Sequence, residues 1–311
     1  MQKIVPHLWY DKEAVEAAEF YVSVFGSLSS GESKVNNVTK IHNTPSGDCD
    51  IVSFKVWGCE FQAISAGPYF KLNPAISFMV NFDPSQDADA KNRIEEIWKK
   101  LLAGGKALMP IDKYPWSERY GWVEDKYGLT WQLILTNPEG DERPLIVPSL
   151  LFTNDHFGKA EAAVNFYISV FKDAPKGEAK LGNLMHYGPN QTPNKEGTVM
   201  FSDFKLFSEW FVAMDGAGEH KFNFNEAVSL MVNCDTQEEI DYYTEKLSAV
   251  PEAEQCGWLK DQFGVSWQIT PKILDDLLAR SDEKTKQRVT EAFLKMKKFD
   301  IATLEAAAKA G

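Results

Sequence analysis

Two glutamines occupy the same place in two copies of one sequence motif. Residues Gly121–Leu133 read Gly-Trp-Val-Glu-Asp-Lys-Tyr-Gly-Leu-Thr-Trp-Gln-Leu, and Gly257–Ile269 repeat this pattern with small changes. An amide side chain both donates and accepts hydrogen bonds, so Gln132 and Gln268 are candidates for binding a ligand. The aspartate and the second glycine of each motif instead predict a hairpin turn, in which glycine adopts a positive φ. The tryptophans of the motif are expected to be core aromatics: Trp122, Trp131, Trp258 and Trp267.

Two further residue types could carry chemistry, a histidine and a cysteine. His7 could ligate a metal ion, but its counterpart in the second copy is Ser149, and we interpret it as a structural or surface histidine. Cys256 has no histidine near it in the sequence to activate it as a nucleophile, which favours an inert thiol. The four cysteines show no Cys-x-x-Cys spacing, so we expect reduced thiols in a cytoplasmic protein.

The repeated motif is one part of a tandem duplication. Ile4–Tyr10, with the sequence Ile-Val-Pro-His-Leu-Trp-Tyr, recurs as Ile146–Phe152, and other segments repeat in the same order along the chain. A chain of 311 residues is long enough for two domains with their own cores. The predicted units are a first domain at 1–140, a second domain at 145–270 and a tail at 271–311.

Hydrophobic periodicity predicts the elements of each copy. The segment after the first strand carries apolar residues at the spacing of one helical face, namely Ala14, Ala17, Ala18, Tyr21, Val24 and Phe25. The same apolar pattern recurs over Ala160–Phe171. Runs typical of strands follow each such helix, so each copy contains two predicted βαβββ modules, four in the chain. After Pro271 the pattern changes to amphipathic helices, and the predicted fold is therefore α+β with a helical tail.

The composition excludes several classes of partner. Acidic residues number 45 and basic residues 33, and the net charge of −12 argues against nucleic acid or an anionic membrane as a partner. No apolar run approaches the roughly 18–20 residues of a membrane span. The sequence contains no glycine-rich turn between a strand and a helix, so no nucleotide or S-adenosylmethionine cofactor is predicted. The chain is expected to be a monomer or a homodimer.

Several segments resemble one protein family. The paired βαβββ modules, with Phe20-Tyr21 and Phe166-Tyr167 closing the first helices, resemble the vicinal oxygen chelate superfamily of glyoxalases, bleomycin-resistance proteins and dioxygenases. Pro6–Tyr10, Gly67–Lys71 and Gly257–Gln268 are similar to its PhnB-like branch, often labelled 3-demethylubiquinone-9 3-methyltransferase. The resemblance implies two tandem glyoxalase-like domains, each curling its sheet into a half-barrel around a pocket.

The resemblance also implies where a divalent metal would be held. In the superfamily, a histidine opens the first strand of each module and a glutamate lies near the end of the last strand. The residues aligned with these positions are, in chain order, Pro6, Ala75, Gln132, Pro148, Ala227 and Gln268. Proline and alanine cannot ligate, and a neutral amide is a weak ligand, so no metal is predicted. A shift of one residue in this alignment would turn His7 inward.

One strand face and one loop form the candidate ligand site. The residues expected to face the first pocket, followed by the equivalent of Gln132 in the second copy, are Thr130, Gln132, Ser77, Met79, Trp116, Arg119 and Gln268. The long loop Ile111–Tyr120 has no counterpart in the second copy, which indicates that the first pocket is the working one. We favour metal-free binding of a small, partly aromatic molecule. The alternative is an enzyme of the same superfamily (lyase, isomerase or dioxygenase type), either metal-dependent through an unconventional site with His7 or metal-independent.

Overall fold

The first copy alternates strands and helices as its periodicity predicts. The computed structural model describes residues 2–26, 31–137 and 143–310. The elements of the first copy are β1 (Ile4–Tyr10), α1 (Ala14–Phe25), β2 (Lys34–Thr44), β3 (Gly47–Val56), β4 (Cys59–Ser65), β5 (Ile76–Phe82), α2 (Ala90–Leu102), β6 (Lys106–Tyr114), β7 (Ser117–Glu124) and β8 (Thr130–Leu135).

The second copy repeats this order with one strand fewer. Its elements are β9 (Ile146–Phe152), α3 (Ala160–Lys172), β10 (Ala179–His186), β11 (Val199–Leu206), β12 (Glu209–Asp215), β13 (Val228–Cys234), α4 (Gln237–Leu247), β14 (Trp258–Lys260) and β15 (Ser266–Pro271). A short 3-10 turn at Pro251–Ala253 stands where the first copy has β6, so the last module is βαββ. The predicted tail is helical: α5 (Lys272–Arg280), α6 (Glu283–Phe293) and α7 (Ile301–Lys309). The α+β class and the tail are confirmed.

Each sheet joins one module from each copy. We number the modules in chain order: module 1 holds β1–β4, module 2 holds β5–β8, module 3 holds β9–β12 and module 4 holds β13–β15. The seven-stranded sheet has the order β14-β15-β13-β1-β4-β3-β2 and joins modules 4 and 1. The eight-stranded sheet has the order β10-β11-β12-β9-β5-β8-β7-β6 and joins modules 3 and 2. The structure thus differs from the expectation that each copy curls its own sheet around a pocket. The boundaries at 1–140 and 145–270 stay a prediction, and residues 138–142 between them lie outside the described part.

Antiparallel pairing between the first strands of the modules joins the copies. Strand β1 pairs with β13, where His7 is opposite Ser229, and β5 pairs with β9, where Ser77 is opposite Ser149. Each first strand also pairs in parallel with the last strand of its own module. Both sides of every first strand are therefore hydrogen-bonded, and each sheet continues without a break from one copy into the other.

The helices pack on the convex faces and hold the two modules of one copy together. The predicted apolar face of α1 is buried, and α3 buries its equivalent face. The ring of Tyr21 on α1 lies 5.3 Å from that of Trp131 in module 2. In the second copy, Tyr167 lies 5.4 Å from Trp267. Aromatic contacts therefore join modules within a copy, whereas strand pairing joins modules between copies.

The aspartate of the repeated motif is a structural residue. Asp125 accepts hydrogen bonds from backbone N–H groups of its turn and from Nε1 of Trp131 at 2.8 Å. Asp261 accepts the equivalent bond from Trp267, also at 2.8 Å. Gly128 has a φ of 90°, as the turn requires. Burial raises the pKa of Asp125 to about 6. The interpretation of the motif as a hairpin turn with core tryptophans is confirmed for Trp131 and Trp267, which are fully buried.

The other two motif tryptophans do not lie in the core, so that prediction was wrong. Trp122 is opposite Gln132 in the β7–β8 hairpin, and Trp258 is opposite Gln268 in the β14–β15 hairpin. Residues directly opposite each other share one face of a sheet, and the next residue along the strand points to the other face. Trp122 and Trp258 are therefore half-buried on the concave faces, whereas the core tryptophans face the helices.

We expect the protein to be a monomer, because both strand pairings between copies form within one chain. A single copy would leave β1 and β5 each without its antiparallel partner, and a second chain would have to supply it. Multi-angle light scattering at low micromolar concentration should give the chain mass of 35.1 kDa. A mass of twice that value at the same concentration would show that another surface recruits a partner.

Candidate functional site

An open cavity of about 1670 Å³ lies at one end of the concave face of the eight-stranded sheet. Strands of modules 2 and 3 supply most of its wall, so both sequence copies contribute. Residues 143–146 and the segment 83–87 border it, and Ile4 and residues 57–59 of module 1 close one side. The cavity therefore depends on the strand pairing that brings the two copies together.

One part of the wall of this cavity is apolar. Met79, Val147, Trp210 and Val212 form a buried cluster that is separate from the main core. Three partly buried side chains pack against this cluster, namely Ile134, Phe201 and Met214. Met79 and Trp210 line the cavity directly, together with Ile134 and Phe201. Polar and charged residues supply much of the remaining lining, so the cavity offers both apolar contact and hydrogen-bonding groups, which a small-molecule site combines.

Gln132 lies beside the cavity with its amide already hydrogen-bonded. Its Oε1 accepts a bond from the hydroxyl of Tyr120 at 2.7 Å, and its Nε2 donates to Oγ of Ser77 at 2.8 Å. Nε2 also lies 3.3 Å from Oγ of Ser149, across the boundary between the copies. The side chain is only 4% exposed. Gln132 therefore fixes the strands beneath the wall, and the residue beside it that reaches the cavity is Met79.

The remaining predicted site residues lie at different places. Trp116 is largely exposed, lines the cavity mouth and stacks on Tyr114 with ring centroids 5.1 Å apart. Arg119 forms an ion pair with Glu95 of α2, on the helical side of the sheet. Thr130 is fully buried and outside the cavity lining. The structure thus brings Met79 and Trp116 to the cavity and places Arg119 away from it.

Charged residues that sequence reasoning missed surround the mouth. Nε of Arg93 lies 2.7 Å from a carboxylate oxygen of Asp87, and Nε of Arg143 lies 2.8 Å from Asp203. The guanidinium of Arg143 also lies over the ring of Trp210, 3.7 Å from its centroid. The hydrogen bond from Arg93 lowers the pKa of Asp87. Arg143 and Asp203 lie 60 residues apart, so no local sequence spacing could have indicated this pair, whereas Arg93 on α2 and Asp87 just before this helix are only six residues apart.

The metal positions implied by the resemblance hold one histidine, and their other side chains are poor donors. Ile4 and Leu8 belong to the main core, so alternation turns Pro6 toward the helices and His7 toward the concave face. The alignment that placed Pro6 inward was wrong by one residue. The concave positions that follow from the correct register are His7, Ser77, Gln132, Ser149, Ser229 and Gln268. Hydroxyls and neutral amides are poor ligands for a divalent ion. Across residues 2–26, 31–137 and 143–310, no three His, Cys, Asp or Glu side chains cluster as a metal site would require.

The tail covers the equivalent face of the seven-stranded sheet. Helix α5 contacts both β2 and β15, which lie on opposite sides of this sheet's concave face. Leu274 and Leu278 of α5 are buried. Gln62 on β4 donates a hydrogen bond of 3.4 Å to Asp275 of the same helix. A helix of the chain itself thus spans the second half-barrel, whereas no described helix spans the cavity of the first.

His7 and Gln268 lie on this covered face. His7 is 3% exposed, and its ring makes an edge contact with Trp258 at 5.6 Å. Gln268 donates a hydrogen bond of 2.9 Å to Ser229. Nδ1 of His7 has no hydrogen-bond partner among the described residues, and burial lowers the pKa of His7 to about 3. His7 is therefore a neutral, buried histidine, and it belongs to no cluster of three His, Cys, Asp or Glu side chains among the described residues.

Cys256 shows the properties of an inert thiol. Its Sγ lies 3.5 Å from the carbonyl oxygen of Phe293 in the tail, and burial raises the pKa of the thiol. A reactive cysteine needs a lowered pKa and a nearby base or cation. All four cysteines are free, in keeping with the expected reduced thiols.

The burial of neutral His7 predicts a loss of stability in mild acid. The pKa of about 3 in the folded protein lies below the ordinary histidine value of 6.5, so the unfolded chain binds the proton more tightly. Stability from this group is present above pH 6.5 and declines as the pH falls toward 3, by about 1.4 kcal/mol per pH unit. Between pH 7 and pH 5, urea unfolding should show a loss about 2 kcal/mol larger for the natural chain than for His7→Gln.

The comparison of the two proteins isolates the histidine, because every buried carboxyl is common to both. Asp125, with its raised pKa, shifts the pH dependence in the opposite direction in both proteins equally. Equal pH dependence for the natural chain and His7→Gln would show that His7 is solvated or charged in the folded state.

Comparison with known proteins identifies relatives over nearly the whole chain. The family model described as 3-demethylubiquinone-9 3-methyltransferase matches twice, at residues 2–134 and 144–270. A PhnB protein from Bacillus cereus is 31% identical over 43% of this chain and 100% of that chain, with a TM-score of 0.38. Glyoxalase I from Zea mays is 12% identical over 85% of this chain and 92% of that chain, with a TM-score of 0.49. No curated protein matches the chain. Among the described helices, none has the length and apolar character needed to cross a membrane.

Proposed function

Because the chain belongs to the family described as 3-demethylubiquinone-9 3-methyltransferase, the PhnB-like branch of the vicinal oxygen chelate superfamily, we propose that it binds a small, partly aromatic molecule without a metal ion. The site is the cavity at the concave face of the eight-stranded sheet. The observation that carries the proposal is the apolar cluster around Met79 and Trp210, which borders this cavity instead of being covered by the tail. A volume of about 1670 Å³ exceeds that of most drug-sized pockets, so the ligand fills part of it.

The predicted site residues have separate roles in this proposal. Met79 and Trp116 contact the ligand directly, because both line the cavity. Gln132 and Ser77 support the wall through their mutual hydrogen bond, with Thr130 packed on the same strand. The remaining two residues are engaged elsewhere, Arg119 by Glu95 and Gln268 by Ser229, and we assign them no ligand contact.

An enzyme that works through His7 has less support. His7 belongs to the other half-barrel, beneath α5, and only 3% of it is exposed. Substrate could reach its imidazole only after the tail helix moved away. No observation favours a reaction over binding at the open cavity.

A matched pair of methionine variants tests the proposal. Met79 and Met231 occupy equivalent places in the two copies, but only Met79 lines the cavity. The neutral fluorescent molecule N-phenyl-1-naphthylamine serves as the probe. Met79→Ala removes apolar contact between the side chain and the bound probe, which is worth about 1–2 kcal/mol of binding free energy. We therefore expect probe affinity to fall roughly five- to thirtyfold in a fluorescence titration, since each 1.4 kcal/mol is tenfold.

Met231→Ala is the control, because it shortens an equally buried methionine on the covered sheet. This change should leave probe affinity within about twofold of the natural chain. A probe that binds the natural chain and Met79→Ala equally well, yet is lost in Met231→Ala, would place the site in the wrong half-barrel. A natural chain that binds no such probe would contradict the proposal itself.

A further inference from the structure

The charged groups around the cavity are unequal in sign. Four carboxylates line it, on Asp83, Asp87, Asp203 and Glu209, whereas the described lining contains two cationic side chains, Arg93 and Arg143. Each guanidinium already pairs with a carboxylate, Arg93 with Asp87 and Arg143 with Asp203. The lining therefore has two carboxylates in excess.

The two remaining carboxylates have only neutral partners in the described structure. An oxygen of Asp83 accepts hydrogen bonds from the backbone N–H and the hydroxyl of Ser85. An oxygen of Glu209 accepts from the backbone N–H of Lys3 at 3.2 Å, and Ser208 donates its hydroxyl to the same oxygen. The ammonium of Lys3 pairs with a different residue, Glu239. No described cation forms an ion pair with Asp83 or Glu209.

The surroundings strengthen this negative potential. The chain carries a net charge of −12, so distant charges add to the local field instead of cancelling it. A cavity focuses the field of its charged groups more than an exposed surface does. An anionic ligand would therefore be repelled at this mouth, whereas a cation would be attracted.

We propose that the ligand of this cavity is an organic cation with an apolar or aromatic body. The positive group lies at the mouth near Asp83 and Glu209, and the body packs on Met79 and Trp210. This inference rests on the proposed function, because it assigns a chemical class to the ligand of the same cavity.

The test compares two molecules of nearly equal shape, of which one is a cation and the other is neutral. (2-Naphthylmethyl)trimethylammonium and 2-neopentylnaphthalene differ in one atom, a quaternary nitrogen in place of a quaternary carbon. Each is titrated against bound N-phenyl-1-naphthylamine at low ionic strength. We expect the cation to compete at least fivefold more tightly, and this advantage should shrink as salt is raised, because salt screens charges at an open mouth.

A charge variant identifies the groups responsible. Asp83→Asn combined with Glu209→Gln removes both excess charges but keeps the oxygens that accept hydrogen bonds from Ser85 and Lys3. We expect this variant to lose most of the preference for the cation and to bind the neutral molecule as before. Glu19→Gln combined with Glu252→Gln is the matched control, because these exposed residues lie outside the cavity lining and change the net charge equally. Should the first variant fold poorly, the salt dependence of the natural chain serves as the test.

The outcomes separate this inference from the proposed function. Equal competition by the two molecules, or tighter binding of the neutral one, would overturn the cation assignment and leave small-molecule binding intact. A preference for the cation that the control variant also loses would show that net charge, not the cavity, is responsible, and would overturn the assignment too. If the probe and both competitors fail to bind, the proposed function fails with it.

Discussion

Two antiparallel strand contacts, β1 with β13 and β5 with β9, determine the rest of the molecule. They join modules of different sequence copies, so each sheet contains strands from both copies. The aromatic packing of α1 and α3 then holds the modules of each copy back to back. Because the concave faces form across the copies, any site on them takes residues from both halves of the chain. The hydrogen bond network of Ser77, Gln132 and Ser149 is one example of such shared construction.

The two half-barrels differ in whether the concave face is covered. One concave face lies beneath α5, with a neutral His7 and the Gln268–Ser229 pair under the helix. The other remains open beside Met79 and Trp210, with charged pairs at its mouth. The tail that follows module 4 is covalently close to the sheet it covers, so little chain entropy is lost when it docks there. Proximity in sequence thus explains which of the two faces became covered.

Local features of the fold could be predicted from the sequence. The apolar stripe of α1 and the turn at Asp125 depend on residues within a few positions, and both are as predicted. Partner choice between strands depends on long-range packing, so the sequence repeat wrongly suggested one sheet per copy. The sequence alignment was wrong by one residue at β1. Because side chains alternate along a strand, it placed Pro6 on the concave face and His7 on the helical face, the reverse of what the structure shows.

The candidate site was predicted only in part, for the same physical reason. Met79 and Trp116 line the cavity as predicted, although the segment Ile111–Tyr120, expected to be a long loop, forms most of the β6–β7 hairpin with Trp116 at its turn. Gln132 has the predicted facing, yet its partners Tyr120 and Ser149 come from a neighbouring strand and from the other copy, and they occupy its amide. No spacing along the chain indicates that α5 would cover the second face.

The most direct test of a ligand cavity shared between the copies is NMR with a label on one lining residue of each copy. Met79 belongs to the first copy and Trp210 to the second, and both line the cavity. With ¹³C-methyl methionine and ¹⁵N-indole tryptophan, assigned by single Met→Leu and Trp→Phe variants, addition of N-phenyl-1-naphthylamine should shift the signals of Met79 and Trp210 together and leave Met231 unchanged. A shift of Met231 without Met79, or of Met79 without Trp210, would contradict a single open cavity built from both copies.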